Sequence, residues 1–254
     1  MTVPRVGGYA DQWHRYYWAG VGPMPGVTSI LKLQDALIGG DLAAWGGGIA
    51  ADYVLGRFRD RENPPTAEEF LNPGLSLRTD ALRAVSAKRD IGSAVHGKIE
   101  DLLSGKVWNR TPETGLYLDG FSLFMADHHP EFIETEQMIF HPGANYGGRF
   151  DFIARIAKRI AIVDVKTGSY KESHRLQLAA YAAAQFIGRP GDEKRYPLPK
   201  IRDYYVLLLR EGAYELVGTG PAATTKIIVG PAERRHFLTL AKTYNAAKCW
   251  EGKK

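Results

Sequence analysis

Two hydrophobic periods alternate along this chain, and their order predicts its elements. Near the start, His14–Trp18 reads as a short strand and Gly20 to Gly26 as a turn-rich connection. Pro25-Gly26-Val27-Thr28-Ser29 then leads into an amphipathic helix carrying Ile30, Leu31, Leu33 and Leu37, with Gly39-Gly40 as its stop. Asp41 can cap a second helix to about Arg57, and Thr66-Ala67-Glu68-Glu69 has the capping-box pattern of a short third one. A long helix follows from about Thr79 to Leu103, striped by Leu82, Val85, Val95, Ile99, Leu102 and Leu103. Another covers Gly115–Asp127 and is broken by His128-His129-Pro130.

The period then falls to two. Glu131–Phe140 reads as one strand with Glu134, Glu136, Met138 and Phe140 on one face. Phe150–Ile156 alternates, with Asp151, Ile153 and Arg155 opposite Phe150, Phe152, Ala154 and Ile156. Lys158-Arg159 is a polar turn, and Ile160–Val165 is a short apolar run of the kind covered on both faces. A helix is predicted from Glu172 or Ser173 to Gly188-Arg189-Pro190. Ile201–Leu209 and Ala213–Gly218 form a hairpin about Arg210-Glu211-Gly212, and Pro231 opens a last helix to about Cys249. Three antiparallel strands followed by a helical crossover imply a mixed sheet between helical layers.

Composition narrows the class. The chain has 254 residues, 44% hydrophobic and 24% charged, which suits a packed core. No run approaches the roughly 20 apolar residues of a membrane span, and the first residues lack a signal-peptide core. One cysteine, Cys249, excludes an internal disulfide framework and a four-cysteine zinc or iron–sulfur site, so a reducing cytoplasm is expected. A net charge of +5 leans mildly toward polyanions, with basic clusters at Arg57, Arg59 and Arg61, at Arg155, Lys158 and Arg159, and at Lys194-Arg195.

The candidate chemistry lies at Asp151, Asp164 and Lys166. Asp164 and Lys166 share a strand face at the end of a buried run, where charges are costly unless used or paired. Two acids on adjacent antiparallel strands can converge on one point. Hard cations such as Mg²⁺ take a few carboxylates and leave positions for water and phosphate oxygens. Phosphodiester hydrolysis needs a deprotonated water and neutralised charge at phosphorus. A buried salt bridge at a hairpin would explain the D-x-K tripeptide alone.

The combination resembles the PD-(D/E)XK nuclease superfamily, in its RecB-like exonuclease branch. Gly148-Arg149-Phe150-Asp151 matches the G-x-x-D element, Asp164-Val165-Lys166 the D-x-K element and Gln177-Leu178-Ala179-Ala180-Tyr181 the Q-x-x-x-Y helix. Gly92 to Glu100 matches a preceding G-x-x-x-H-x-x-x-E helix, whose histidine is a metal ligand in the branch. The resemblance covers roughly residues 79–210.

The resemblance implies a restriction-endonuclease-like α/β fold in residues 79–254, with residues 1–78 as a helical cap near the site. It implies a DNA exonuclease that hydrolyses single-stranded ends with Mg²⁺ or Mn²⁺. His96, Asp151, Asp164 and the Val165 carbonyl would hold the metal. Lys166 would stabilise charge or orient water. Gln177 and Tyr181 would contact the catalytic strand or the DNA backbone, and Glu100 and Glu136 are further candidates. The N-terminal aromatics Trp13, Tyr16, Tyr17 and Trp18 would either stack on bases or pack the extension down.

Without cluster cysteines, the chain is similar to the cluster-free exonucleases of phages, bacteria and mitochondria within the branch. No Walker A pattern is present, so any unwinding would come from a helicase, recombinase or single-strand-binding partner. Alternatives are an endonuclease of the same fold and a non-catalytic nucleic-acid-binding protein. Ser29-Ile30-Leu31-Lys32 and Lys166-Thr167-Gly168 mimic penicillin-binding signatures, but no S-x-N element lies between them and Asp164 would have no task there.

Overall fold

The computed structural model describes residues 7–11, 15–37, 76–106 and 109–251. The helices expected at 41–57 and 66–69, and the basic cluster of Arg57, Arg59 and Arg61, lie outside them.

The central element is a six-stranded mixed sheet in the order β13-β12-β11-β8-β7-β4. Its strands are β4 (Glu131–Thr135), β7 (Phe152–Ile156), β8 (Arg159–Thr167), β11 (Asp203–Arg210), β12 (Ala213–Gly218) and β13 (Thr225–Lys226). β7 and β8 are a hairpin whose turn residues Ala157 and Lys158 both have positive φ, the twist-matched geometry for a two-residue loop. β8 then pairs with β11 in parallel, Val165 opposite Leu207, after a crossover through a helix. Such a crossover is what parallel pairing demands.

Alternation assigns the two faces. Phe152, Ala154 and Ile156 of β7, Ala161, Val163 and Val165 of β8, and Tyr205, Leu207 and Leu209 of β11 are buried on one side. Covering them are α2 (Ser76–Leu103), through Val95 and Ile99, and α3 (Pro112–His128), through Leu118, Phe121 and Phe124. The opposite face, with Ile153, Ile162, Val206 and Leu208, is covered by α1 (Val27–Leu37), α4 (Glu172–Ala183) and α5 (Pro231–Glu251). Both faces of β8 are therefore dry, as its continuous apolar run requires. This sheet between two helical layers is the mixed α/β, restriction-endonuclease-like arrangement.

A second sheet, of order β10-β9-β5-β6, joins β5 (Met138–His141), β6 (Tyr146–Arg149), β9 (Phe186–Arg189) and β10 (Asp192–Tyr196). It corrects two expectations. Glu131–Phe140 is not one strand. The chain leaves the large sheet after Thr135, turns at Glu136 (φ 52) and enters the small sheet at Met138. The returning limb makes the same crossing at Phe150-Asp151, and Glu136 N–H donates to the Asp151 carbonyl at 2.8 Å. Residues 131–156 thus form one long hairpin bent between two sheets, with Asp151 at the bend. The helix predicted to reach Gly188 stops at Ala183, because Phe186–Gly188 pairs with β5 instead.

Within the extension, β1 (Gly8–Ala10), β2 (Tyr16–Trp18) and β3 (Val21–Met24) form a three-stranded antiparallel sheet. The segment expected as turn therefore includes a strand. Tyr16, Trp18 and Met24 pack on Met138, Phe140 and Phe186, whereas Tyr9 and Tyr17 stack on each other with centroids 4.7 Å apart. α1 puts Val27, Ile30 and Leu31 into the main core. Among the described residues, no helix is long and apolar enough to cross a membrane.

Candidate functional site

The site forms where the β7–β8 ladder runs out. Its last paired register is Phe152 opposite Val163. Beyond it the chain bends away at Asp151, so the Val165 amide has no strand partner on that side. The Asp151 carboxylate takes its place and accepts from Val165 N–H at 2.5 Å. One side chain thus caps the open end of the ladder and sits against the main chain of the D-x-K element.

Asp164 and Lys166 project to the same face of β8, as period two requires. Lys166 Nζ is 2.5 Å from Asp164 Oδ2. Asp164 is 1% exposed. Its Oδ1 accepts from Gln177 Nε2 at 2.9 Å. Its Oδ2 is buried and has no hydrogen bond of acceptable geometry. The nearby ammonium supplies charge to that oxygen without a well-directed donor.

α4 braces this arrangement. Gln177 Nε2 also donates to Tyr181 Oη at 2.6 Å, and Tyr181 donates to the Arg149 carbonyl at 2.7 Å. The i, i+4 spacing of Gln177 and Tyr181 makes the relay continuous along one helix face. It ties the D-x-K strand to the strand that delivers Asp151. Gly148 lies under this bridge: a Cβ there would meet Val27 Cγ2 at 2.9 Å and Tyr181 Cε1 at 3.3 Å.

α2 closes the other side. His96 Nδ1 lies 3.4 Å from Asp151 Oδ1. One turn earlier, a Cβ on Gly92 would meet Thr167 Oγ1 at 2.9 Å, so glycine allows the helix to approach the end of β8. Glu100 and Glu136 are brought near the site, but both bind Arg149. Arg149 Nε is 2.6 Å from Glu136 Oε2, and its Nη2 is 3.2 Å from Glu100 Oε1.

The ionisations follow from this crowding. Burial pushes the Asp164 carboxyl up and Asp151 adds to it, against the pull of Lys166, leaving it above the ordinary carboxylate range. Burial acts on Asp151 too, but His96, Lys166 and the Val165 amide outweigh it and hold it low. Burial disfavours charge on His96 and Lys166, yet the two aspartates overcome this and raise both. Burial and the Asp151 charge push Glu136 up to about 7, against the opposing pull of Arg149. The two aspartates are thus driven apart by different surroundings, a pattern typical of chemical sites.

The donor set suits a hard divalent cation. It offers two carboxylates, an imidazole and a main-chain carbonyl at Val165, and the buried Asp164 Oδ2, paired with Lys166 but without a directed hydrogen bond, has lone-pair capacity for such an ion. Among the described residues, no three His, Cys, Asp or Glu side chains already form a binding cluster. An ion would have to draw the His96–Asp151 pair and Asp164 together.

Two residues were not singled out by the sequence for the roles they hold here. The Arg149 side chain bridges α2 and the bend at Glu136, contacts across 49 and 13 positions that no local pattern signals. His174 accepts from Lys171 N–H at 3.2 Å at the start of α4. Burial, Lys166 and Lys171 together depress it to about 3.

A family model for the PD-(D/E)XK nuclease superfamily matches residues 116–245. No curated protein matches the chain. The crystal structure of SSO0001 is similar at 13% identity over 71% of this chain and 68% of that one, with a TM-score of 0.32.

Proposed function

The chain belongs to the PD-(D/E)XK nuclease superfamily, and from that premise we propose that it is a Mg²⁺- or Mn²⁺-dependent DNA exonuclease acting on single-stranded ends. The observation that carries the nuclease reading is the convergence of Asp151 on the D-x-K strand that holds the buried Asp164 and Lys166 side by side.

In this reading, His96, Asp151, Asp164 and the Val165 carbonyl hold the cation. When bound, the ion neutralises charge at the phosphate and acidifies a coordinated water. The remaining work falls to protein groups. Lys166 is kept protonated by its two aspartates and donates toward charge developing on the phosphoryl group, or orients the attacking water. Gln177 fixes the Asp164 carboxylate by donating to Oδ1, while Lys166 lies against Oδ2. Tyr181 acts through the Arg149 carbonyl as a positioning residue for Asp151 two residues on. An imidazole in the shell would favour Mn²⁺ relative to an all-oxygen site.

End-dependence is supported by the matched motif set and by the extension. Residues 1–78 are taken as a cap over the core of residues 79–254. Tyr16 of β2 packs on Gly147, one strand position from the G-x-x-D element. If the extension roofs the site, a threaded strand is admitted and a closed circle excluded. Linear and circular single-stranded DNA of one sequence separate the readings. Loss of the linear form with sparing of the circle supports the exonuclease. Equal rates on both make this chain an endonuclease with an open cleft.

A further inference from the structure

We propose that Arg149 grips the phosphate next to the scissile one, an assignment that rests on the nuclease reading above. The geometry points to Arg149 rather than to the other surface cations. Its main chain is fixed to the reacting centre: the Arg149 carbonyl accepts from Tyr181, Tyr181 accepts from Gln177, and Gln177 donates to Asp164. Its own position is the last residue of β6, two residues before Asp151.

The guanidinium is aimed by two carboxylates. Glu136 Oε2 lies 2.6 Å from Nε, and Glu100 accepts from Nη2 at 3.2 Å, two contacts for a group with five N–H donors. Glu136 can reach Nε because it sits at the bend with φ 52, a left-handed backbone that costs a non-glycine residue energy and persists where something requires it. Glu100 lies one helical turn beyond His96, about 5.4 Å along α2. Arg149 is therefore anchored beside the His96–Asp151 contact, between α2 and the bend that carries Asp151. Its side chain is 46% exposed, so it is open to a ligand while being oriented from below.

The chemistry fits a phosphodiester. A guanidinium presents parallel N–H donors to two oxygens of one phosphate, which an ammonium cannot do. Glu100 and Glu136 orient the fork in the free protein. Incoming phosphate takes donors of the fork that the two glutamates do not occupy. A purely structural role, clamping α2 to the bend, would need the two glutamates and nothing more.

The test is a cross between variant and substrate. Wild type, Arg149→Met and Arg149→Lys are each assayed on a linear single strand with Mn²⁺. The assay is repeated on strands carrying one neutral methylphosphonate at successive positions beside the cut. For wild type, neutralising the gripped phosphate should raise KM roughly tenfold or more, with kcat changing little, the scale of one charge-assisted contact. Arg149→Met should show that higher KM on the natural strand and no further loss on the modified one. Arg149→Lys should fall between, because it keeps charge but not the fork. Multiplying losses in the double perturbation, or an unchanged KM with only a lower melting temperature in both variants, would overturn the assignment and leave the nuclease reading intact. No cleavage of any strand by wild type would overturn the nuclease reading and this assignment with it.

Discussion

Asp164→Asn separates the role of this residue in chemistry from its role in holding the protein together. The change removes a charge and leaves the shape, so Gln177 can still donate to the retained oxygen. In the absence of metal two terms oppose each other. The Lys166–Asp164 pair at 2.5 Å loses an attraction of about 7 kcal/mol at an effective dielectric of 20. Against that, burying an ion costs several kcal/mol, and at Asp164 burial together with the Asp151 charge outweighs the pull of Lys166, raising the carboxyl. The change leaves Lys166 with Asp151 as its remaining counter-charge, so a loss of up to about 4 kcal/mol is expected. Adding metal should stabilise wild type by roughly 2.7 kcal/mol at a hundred times its Kd, which is about 5–10 °C in Tm for a chain of this size. Asp164→Asn should lose that gain and all hydrolysis. The assay is thermal unfolding in EDTA and across an Mn²⁺ series. A full metal-dependent gain in the variant would refute the assignment of Asp164 as a ligand. A loss above about 4 kcal/mol in EDTA would mean that the pair is there for structure.

Lys166→Ala should lower kcat by roughly a hundredfold or more, the scale of one preorganised electrostatic group, with DNA Kd within a few-fold. A loss confined to binding would count against its role. Gln177→Leu strips the donor from Asp164 Oδ1 and from Tyr181, so Tm should fall with a cost of about 2–4 kcal/mol, and an unchanged Tm would show that the relay is not formed. His174 is held at about 3 against an unfolded value near 6.5. A depressed histidine stabilises fully above the unfolded value and loses that contribution as pH falls toward the folded one, up to about 2 kcal/mol by pH 5. His174→Gln should flatten the Tm difference between pH 7.5 and pH 5, and a variant with the wild-type slope would refute this. Binding to single strands should weaken with salt at a slope of about 0.7 per neutralised phosphate, lowered by about that amount in Arg149→Met.

The hairpin from Phe152 to Thr167 was legible because its pattern is local. Alternation named the faces, and the apolar run of β8 named a strand covered on both sides. Hence Asp164 and Lys166 could be placed on one face from the sequence alone. Their approach to Gln177 and His96 came from the resemblance, since contacts between β8, α4 and α2 leave no periodic trace. The small sheet was harder. β6 reads Tyr-Gly-Gly-Arg, poor in β-formers, and is a strand because Gly147 and Gly148 let Tyr16 and Tyr181 pack against its backbone. β9 follows an alanine-rich helix without a break residue and owes its form to pairing with β5, more than 40 positions away. The bend at Glu136 had no glycine or proline to mark it. Its reason is tertiary: it delivers Asp151 to Val165 and Glu136 to Arg149.

The central claim is that Asp151, Asp164 and Lys166 form a metal-dependent phosphodiesterase centre. The most direct measurement is release of nucleotide from an end-labelled single strand by wild type and Asp164→Ala, each with Mg²⁺, Mn²⁺ or EDTA. The account predicts hydrolysis by wild type with either metal, none in EDTA, and none by Asp164→Ala under any condition while DNA binding is retained. Full activity in EDTA, or full activity of Asp164→Ala, would contradict it.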